Sequence, residues 1–258
     1  MPETLIFYDI PGNASPTKAW TPNPWKARLS LTMKGLPHRT VWVEYPDIEG
    51  VCKKLGAQPT GLREGQPLYT LPVLEDPNTG AIISESFSIA EYLDATYPNT
   101  LQLIPKGTKA LQIMFRDIFE EKVFWKMLET QVLRIVAQLS PESAVFWREK
   151  VGKVLGKKPE DLLPDERAKE ERWNQALQGL SVLDRWASQN ESGPFIMGDV
   201  PSFADAVLTA HLIWLKTLGG AESKEWISVM EADGGRWARL YDEFGKWSWV
   251  DEESAKPA

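Results

Sequence analysis

The pair Glu85-Ser86 stands where side chains could recognise both charges of an amino-acid head group. It lies between the apolar run 81–84 and a segment of helical character, so Ser86 is expected near the beginning of a helix. There its hydroxyl and N–H can donate to a carboxylate, helped by the positive end of the helix. The Glu85 carboxylate can accept from an ammonium group. The pair predicts a site for a zwitterionic ligand end, and plain capping of the helix is the alternative.

A second set of polar side chains lies in the segment 20–26, Trp-Thr-Pro-Asn-Pro-Trp-Lys. Asn23 is a favourable N-cap and Pro24 fits the first helical position, so a helix is expected to begin here and to end before Gly35. The Thr21 hydroxyl and the Asn23 amide would then be two donors beside a helix N-terminus. Donors in that position favour an anion, which makes Thr21 and Asn23 the candidate catalytic residues.

The chain has few thiol and imidazole groups of its own. Cys52 is the single cysteine, and His38 and His211 are the two histidines. This excludes an internal disulfide framework and a Cys/His metal site, so no metal is expected. Cys52 and His211 both lie in segments where a packing role is expected. Any thiol chemistry would therefore have to come from a ligand.

Composition and charge argue against several classes of binding partner. A net charge of -7 over 258 residues, without a basic run, argues against nucleic acid. No leader-like N-terminus and no long uninterrupted apolar window are present, so no membrane is expected and the location is expected to be cytoplasmic. The twelve Trp residues suit either a core or a pocket for aromatic ligands.

The first part of the chain predicts an α/β domain. Its strands are expected at 4–10, 39–45, 71–75 and 81–84. The first two flank a helix, which implies parallel pairing, and the last two flank Asp-Pro-Asn-Thr-Gly, a hairpin turn. A helix opened by Ser86 or Ser88 follows, with Ser88 and Glu91 at capping-box spacing. This order is the thioredoxin-like arrangement, and the domain is expected to cover residues 1–97.

Beyond a linker at 97–107 the pattern is helical. Helices are expected at 109–139, 142–155, 164–189 and 203–218. Ser202 and Asp205 have the spacing of a capping box before the last of these, which is almost wholly apolar and should be buried. The region 107–258 is therefore expected to be an all-helical domain.

The combination resembles the cytosolic glutathione transferase superfamily over essentially the whole chain. Three pieces carry the resemblance: the segment 66–74 resembles the run into a cis-proline strand, Ser84-Glu85-Ser86 resembles the acidic-serine pair, and 202–205 resembles the capping box of the helical domain. The resemblance implies a thioredoxin-like N-terminal domain followed by an all-helical C-terminal domain that binds the hydrophobic substrate. It also implies glutathione as cosubstrate.

The resemblance gives each binding residue an expected role. A cis Leu71–Pro72 bond would leave the Leu71 N–H and C=O free to pair with the cysteinyl unit of glutathione, as a strand adds to a sheet edge. Glu85 and Ser86 would hold the γ-glutamyl end. Trp20, Leu71, Pro72, Glu85 and Ser86 are thus the expected glutathione-binding residues, with an ordinary edge proline as the alternative for Pro72.

Thr21 stands where serine-type classes of the superfamily carry a serine and thiol-transfer classes a cysteine. Threonine can donate the same hydrogen bond, although its methyl group restricts the rotamers, and the Asn23 amide is an alternative donor. Lowering a thiol pKa by about two units takes roughly 2.7 kcal/mol, which one charge-assisted hydrogen bond and a helix N-terminus can supply. We expect Thr21 and Asn23 to act together, as in a serine/threonine-type rather than a cysteine-type transferase.

The chain also resembles a fungal etherase-like (FuA-type) subgroup related to bacterial β-etherases, at Trp20, at residues 24–26 and at residues 41–45. This implies a homodimer, weak activity on simple test electrophiles, and binding of polyphenols or other small hydrophobic and aromatic molecules. Four aromatic residues could line the second pocket, with core packing as the alternative: Trp20, Phe115, Phe119 and Trp125.

Three functions remain open from the sequence. The first is an enzyme in which the glutathione thiolate attacks an electrophilic carbon or displaces a phenolate. The second is ligandin-type binding and transport of hydrophobic compounds without catalysis. The third is a docking module built on the same fold.

Overall fold

The computed structural model describes residues 3–13, 15, 17–162, 165–190 and 192–251. The first part consists of β1 (Leu5–Asp9), α1 (Pro22–Met33), β2 (His38–Trp42), α2 (Ile48–Leu55), β3 (Gly61–Arg63), β4 (Gln66–Leu68), β5 (Val73–Asp76), β6 (Ala81–Ser84) and α3 (Ser86–Thr96). Within the described residues, four of these strands form a mixed sheet in the order β2-β1-β5-β6. β1 pairs parallel with β2, and β5 runs antiparallel to both β1 and β6. The predicted thioredoxin-like arrangement is confirmed.

The hairpin β3–β4 is an addition that the sequence analysis missed. Its two short strands pair antiparallel from Gly61 to Leu68 around a turn at Glu64 and Gly65, both of which have positive φ. Strands of only three residues carry too little alternation to be predicted as strands from the sequence. The hairpin matters because it brings Arg63 to the site described below.

The second part is helical, as predicted. Its elements are α4 (Lys109–Phe119), α5 (Trp125–Gln138), α6 (Pro141–Leu155), α7 (Glu166–Ala187), α8 (Phe203–Gly219), α9 (Lys224–Glu231) and α10 (Arg236–Glu243). α8 packs against α1 of the first part and is buried from Phe203 to Leu215. None of the helices within the described ranges has the length and apolar character needed to cross a membrane.

The beginning of α8 confirms the predicted capping box. The Ser202 N–H and hydroxyl donate to Asp205 Oδ2 over 2.8 and 2.9 Å. The Ile196 N–H donates to Asp205 Oδ1 over 2.7 Å. Burial raises the pKa of the Asp205 carboxyl to about 6, although these hydrogen bonds favour the charged form.

The expected single helix 109–139 is instead two helices joined by a π-helical turn, Glu120–Phe124. Gly179 on α7 allows this turn to lie close to the α7 backbone, because a Cβ at Gly179 would meet the Lys122 carbonyl oxygen at 2.4 Å. A π turn widens the helix locally and re-aims its side chains, and such turns are frequent at functional sites. Glu120 and Phe124 are the residues it directs toward the site.

α6 is tied to the segment that follows β2. Ser140, the N-cap of α6, donates to Glu44 Oε2 over 2.8 Å, and the Tyr45 N–H donates to Ser143 Oγ over 3.0 Å. Ser143 also donates to Glu44 Oε2. These bonds between the two parts of the chain hold α6 beside the segment that follows β2.

Candidate functional site

A polar cleft of about 230 Å³ lies between the two parts of the chain. It is lined by Asn23, Lys26, Thr70, Leu71, Pro72, Glu85, Ser86, Arg116 and Glu120. Five of the seven predicted site residues are therefore brought together here, from α1, the segment before β5 and the start of α3. The other two, Trp20 and Thr21, line a neighbouring cavity described below.

Glu85 is the N-cap of α3, which corrects the predicted capping box of Ser88 and Glu91. Its Oε2 accepts from the Phe87 N–H at 2.9 Å and the Ser88 N–H at 3.0 Å, with φ of 78° at Glu85 itself. A carboxylate one residue before the helix reaches two free N–H groups at once, and this made the later serine unnecessary as a cap. Glu85 thus caps the helix, and its side chain also lines the cleft.

Charged residues that the sequence analysis did not select complete the cleft. Lys26 Nζ lies 3.5 Å from Glu120 Oε1, and Arg116 Nη1 lies 3.8 Å from Glu85 Oε1. Burial lowers the pKa of the Lys26 ammonium, opposed by the Glu120 carboxylate. Arg116 and Glu120 come from α4 and the π turn, and no local pattern in the sequence could have joined them to Glu85.

The Leu71–Pro72 peptide bond is cis, as the resemblance implied. Leu71 is buried, and within the described residues its N–H and C=O form no hydrogen bond. The neighbouring Thr70 hydroxyl lies 2.9 Å from the Thr60 hydroxyl. The Leu71 backbone therefore offers one donor and one acceptor to a ligand in the cleft.

The beginning of α1 differs from the expectation. Thr21 is the N-cap, Pro22 is the first helical residue, and Asn23 lies inside the first turn. The prediction placed the cap two residues late because Pro22 and Pro24 both suit a first turn and only one can hold the first position. Since neither proline has an N–H, Asn23 carries the single backbone donor among the first three helical residues.

An aromatic cavity of about 290 Å³ adjoins the polar cleft. Its aromatic lining consists of Trp20, Tyr45, Phe124, Trp125, Trp147 and Trp214. Trp20 and Trp125 were predicted there. The indole N–H of Trp20 is already used, since it donates to the Pro11 carbonyl over 3.1 Å, so Trp20 presents an apolar face.

Phe115 and Phe119 are absent from the described lining of the aromatic cavity. Phe119 is buried in the core, with its ring centroid 4.6 Å from that of His211, and Phe115 packs against the same core. For these two residues the alternative, core packing, holds. Phe124, which follows them in the π turn, lines the cavity instead.

Asn23, Thr70 and Leu71 line both the polar cleft and the aromatic cavity. A ligand atom held by the Leu71 backbone would therefore lie at the opening between the two spaces. Thr21 lines the aromatic cavity, and its hydroxyl forms no hydrogen bond with another described residue. Donors at this opening suit an anion that reacts with a hydrophobic molecule in the cavity.

The remaining reactive side chains have packing roles. Cys52 is buried, and burial raises the pKa of its thiol. His211 is buried with Nδ1 2.7 Å from the Val207 carbonyl oxygen, and burial lowers its pKa well below the usual range. Among the described residues, no group of three or more His, Cys, Asp or Glu side chains is placed to hold a metal ion.

Comparisons with known proteins place this geometry in a family. A profile described as "Glutathione S-transferase, N-terminal domain" matches residues 20–96, and one described as "Glutathione S-transferase, C-terminal domain" matches residues 110–247. The crystal structure of a glutathione S-transferase of Ceriporiopsis subvermispora in complex with glutathione is 40% identical, covers 97% of this chain and 100% of that one, and superposes with a TM-score of 0.93.

Two further relatives are described as a glutathione transferase and as a glutathione S-transferase-like protein. Glutathione transferase GSTFuA3 from Phanerochaete chrysosporium is also 40% identical, with 97% of this chain and 100% of that chain covered and a TM-score of 0.92. The curated glutathione S-transferase-like protein ustS of Aspergillus flavus is 26% identical over 94% of this chain and 88% of its own length.

Proposed function

The chain belongs to the glutathione transferase family, and from this premise we propose that it binds glutathione in the polar cleft and directs the thiol into the aromatic cavity. The observation that carries the proposal is the wall common to the two spaces, formed by Asn23, Thr70 and Leu71. A tripeptide anchored on one side of this wall would present its sulfur to a hydrophobic molecule on the other.

The residues of the polar cleft fit the parts of glutathione. The partly exposed Glu85 carboxylate can accept from the γ-glutamyl ammonium, and the Ser86 hydroxyl and N–H at the start of α3 can donate to the carboxylate of the same head group. Arg116, 3.8 Å from Glu85, adds a positive charge for that carboxylate. The free N–H and C=O of Leu71 can pair with the cysteinyl unit.

The chemistry follows from the donors at the beginning of α1. The Thr21 hydroxyl and the Asn23 amide groups would stabilise the glutathione thiolate, which makes this a serine/threonine-type transferase. The thiolate electron pair forms a bond to an electrophilic carbon and the bond from that carbon to its leaving group breaks. With an aryl ether the departing group is a phenolate, so etherase-type turnover is included in the proposal.

Each part of the chain has its own task in this scheme. Residues 1–97 would hold glutathione, and residues 107–258 would supply most of the aromatic lining for small hydrophobic or aromatic substrates. The homodimer and the cytoplasmic location expected from the resemblance belong to the same proposal.

The proposal is tested by calorimetry with reduced glutathione, followed by conjugate detection on a panel of benzylic halides, aryl halides and aryl ethers. We expect binding in the micromolar to millimolar range that is typical of enzyme substrates, and product only when glutathione is present. Ser86→Ala should weaken glutathione binding, whereas Ser88→Ala, two residues along the same helix, is the matched control. No heat of glutathione binding would refute the proposal, and tight polyphenol binding without turnover would favour the ligandin function.

A further inference from the structure

The charged lining of the aromatic cavity is entirely positive within the described residues. Arg63 on β3 and Lys150 on α6 are the ionisable Arg, Lys, Asp or Glu side chains there, and no carboxylate lines this space. This is unexpected for a chain with a net charge of -7. The two cations come from different parts of the chain, so the fold itself brings them together.

Neither cation is neutralised by its surroundings. Lys150 and Arg63 form no ion pair within the described part of the chain, whereas the buried Lys26 of the polar cleft is paired with Glu120. Lys150 Nζ instead lies 5.9 Å from the centre of the Phe146 ring. Burial lowers the pKa of the Lys150 ammonium, and the positive charge of Arg63 lowers it further. A partly buried cation facing a second cation is a site that an anion would stabilise.

The two cations line the aromatic cavity away from its opening at Asn23 and Leu71. Arg63 and Lys150 also line an outer groove of about 320 Å³, whose described lining shares no residue with that of the polar cleft. The aromatic cavity thus opens onto the polar cleft at Asn23 and Leu71 and onto the outer groove at Arg63 and Lys150. The carboxylates of the outer groove are Glu49, Glu64 and Glu149. Glu49 is bound to Lys53 at 2.6 Å, and none of the three lines the aromatic cavity.

We propose that Arg63 and Lys150 form a carboxylate subsite, and that the substrate class of the aromatic cavity is an aromatic molecule with an acidic group on the side away from the reacting carbon. This proposal rests on the proposed function, which places the glutathione thiol at the opening beside Asn23 and Leu71. The ring would pack against Phe124 and Trp125 while the acid binds the two cations. A guanidinium and an ammonium together suit the two oxygens of a carboxylate.

The same chemistry could come from the glycine carboxylate of glutathione, and the test separates the two sources. Binding is measured by calorimetry with biphenyl-4-carboxylate and with biphenyl-4-carboxamide, each with and without saturating glutathione. Turnover is measured with 4-(bromomethyl)benzoate and 4-(bromomethyl)benzamide. Glutathione and γ-glutamylcysteine, which lacks the glycine, are compared as ligands in parallel.

We expect the wild-type protein to bind the acid at least about tenfold more tightly than the amide, as one charge-assisted contact implies. Lys150→Met and Arg63→Gln should each reduce that preference to a few-fold, and Lys150→Arg should retain it. Lys153→Met is the matched control. Lys153 is an exposed cation one turn from Lys150, and it lines the outer groove but not the aromatic cavity. Thermal unfolding checks that every variant is folded.

Equal binding of acid and amide by the wild-type protein would overturn the proposal. So would variants that keep the acid preference but lose the distinction between glutathione and γ-glutamylcysteine, since the cations would then bind glycine. Because the biphenyl pair is also measured without glutathione, an acid preference in a protein that binds no glutathione would support the subsite while refuting the proposed function.

Discussion

The Arg28 guanidinium lies with Nη2 2.8 Å from Asp9 Oδ2, and both side chains are fully buried between α1 and β1. Nη1 of the same guanidinium donates to the Thr40 hydroxyl over 3.0 Å and to Asp251 Oδ1 over 3.3 Å. Arg28 thus joins the first strand, the second strand and the last described residue. Burial raises the pKa of Asp9, and the positive charge of Arg28 opposes that rise.

This arrangement predicts that Arg28→Met destabilises the fold strongly. Removing one partner leaves Asp9 as a buried charge without its counterion, which costs about 3 to 5 kcal/mol of unfolding free energy in comparable pairs. Urea unfolding followed by tryptophan fluorescence measures the change. Arg167→Met is the control, because Arg167 forms an exposed ion pair with Glu171 and should change little. A loss from Arg28→Met no larger than from the control would contradict this account.

The sequence predicted those parts of the fold and of the site whose residues lie close together along the chain. Leu71–Pro72, Glu85-Ser86 and the capping box of Ser202 and Asp205 are local patterns, and each has a local physical meaning. The position of the α1 cap was missed by two residues because two prolines compete for one role.

The residues that were missed are contributed by elements distant in sequence. Arg116 and Glu120 reach the polar cleft from α4 and the π turn, and Lys150 reaches the aromatic cavity from α6. Their charge was visible in the sequence, but the packing that turns a charged side chain inward was not. Phe124 was missed as a lining residue of the aromatic cavity for the same reason, since it lies in a π turn that has no simple sequence signal.

For Glu85, two substitutions should separate ligand binding from capping. Glu85→Gln keeps an oxygen that can accept from the N–H groups of Phe87 and Ser88, as Oε2 does over 2.9 and 3.0 Å, but it removes the charge. We expect nearly unchanged unfolding and roughly tenfold weaker glutathione binding. Glu85→Ala should weaken binding and also cost about 1 kcal/mol of stability from the lost cap. Calorimetry and urea unfolding report the two effects, and unchanged affinity in both variants would exclude Glu85 from the ligand site.

For Thr21, the hydroxyl can be removed without changing the shape of the side chain. Thr21→Val should lower kcat/KM by about ten- to a hundredfold and move the rising limb of the pH profile to higher pH, because the thiolate loses a donor. Thr21→Ser should retain most of the activity. Asn23→Ala should lower kcat/KM less in the wild-type protein than in the Thr21→Val variant, since the two donors act on one sulfur. The pH profile is the decisive measurement, because a purely structural change would lower the rate without shifting it.

Burial at the start of α8 raises the pKa of the Asp205 carboxyl to about 6. Below about pH 4 an aspartate is protonated in both the folded and the unfolded chain. Between about pH 4 and the folded value of about 6, the folded chain keeps the proton and the unfolded chain has lost it. The folded state therefore binds more protons in this range, and its stability contribution falls as pH rises, by up to about 1.4 kcal/mol per pH unit.

Asp205→Ala removes both the cap and the titration, so the stability difference between wild type and variant should be larger at pH 4.5 than at pH 7 by about 2 kcal/mol. Urea unfolding at pH 4.5, 5.5 and 7 measures it. Ser223→Ala is the control, because Ser223 caps α9 by accepting from the Trp226 N–H at 3.3 Å and has no group that titrates in this range. Its effect should be the same at all three pH values. A difference for Asp205→Ala that grows toward pH 7 would mean that the hydrogen bonds from Ile196 and Ser202 outweigh burial and hold the carboxylate charged.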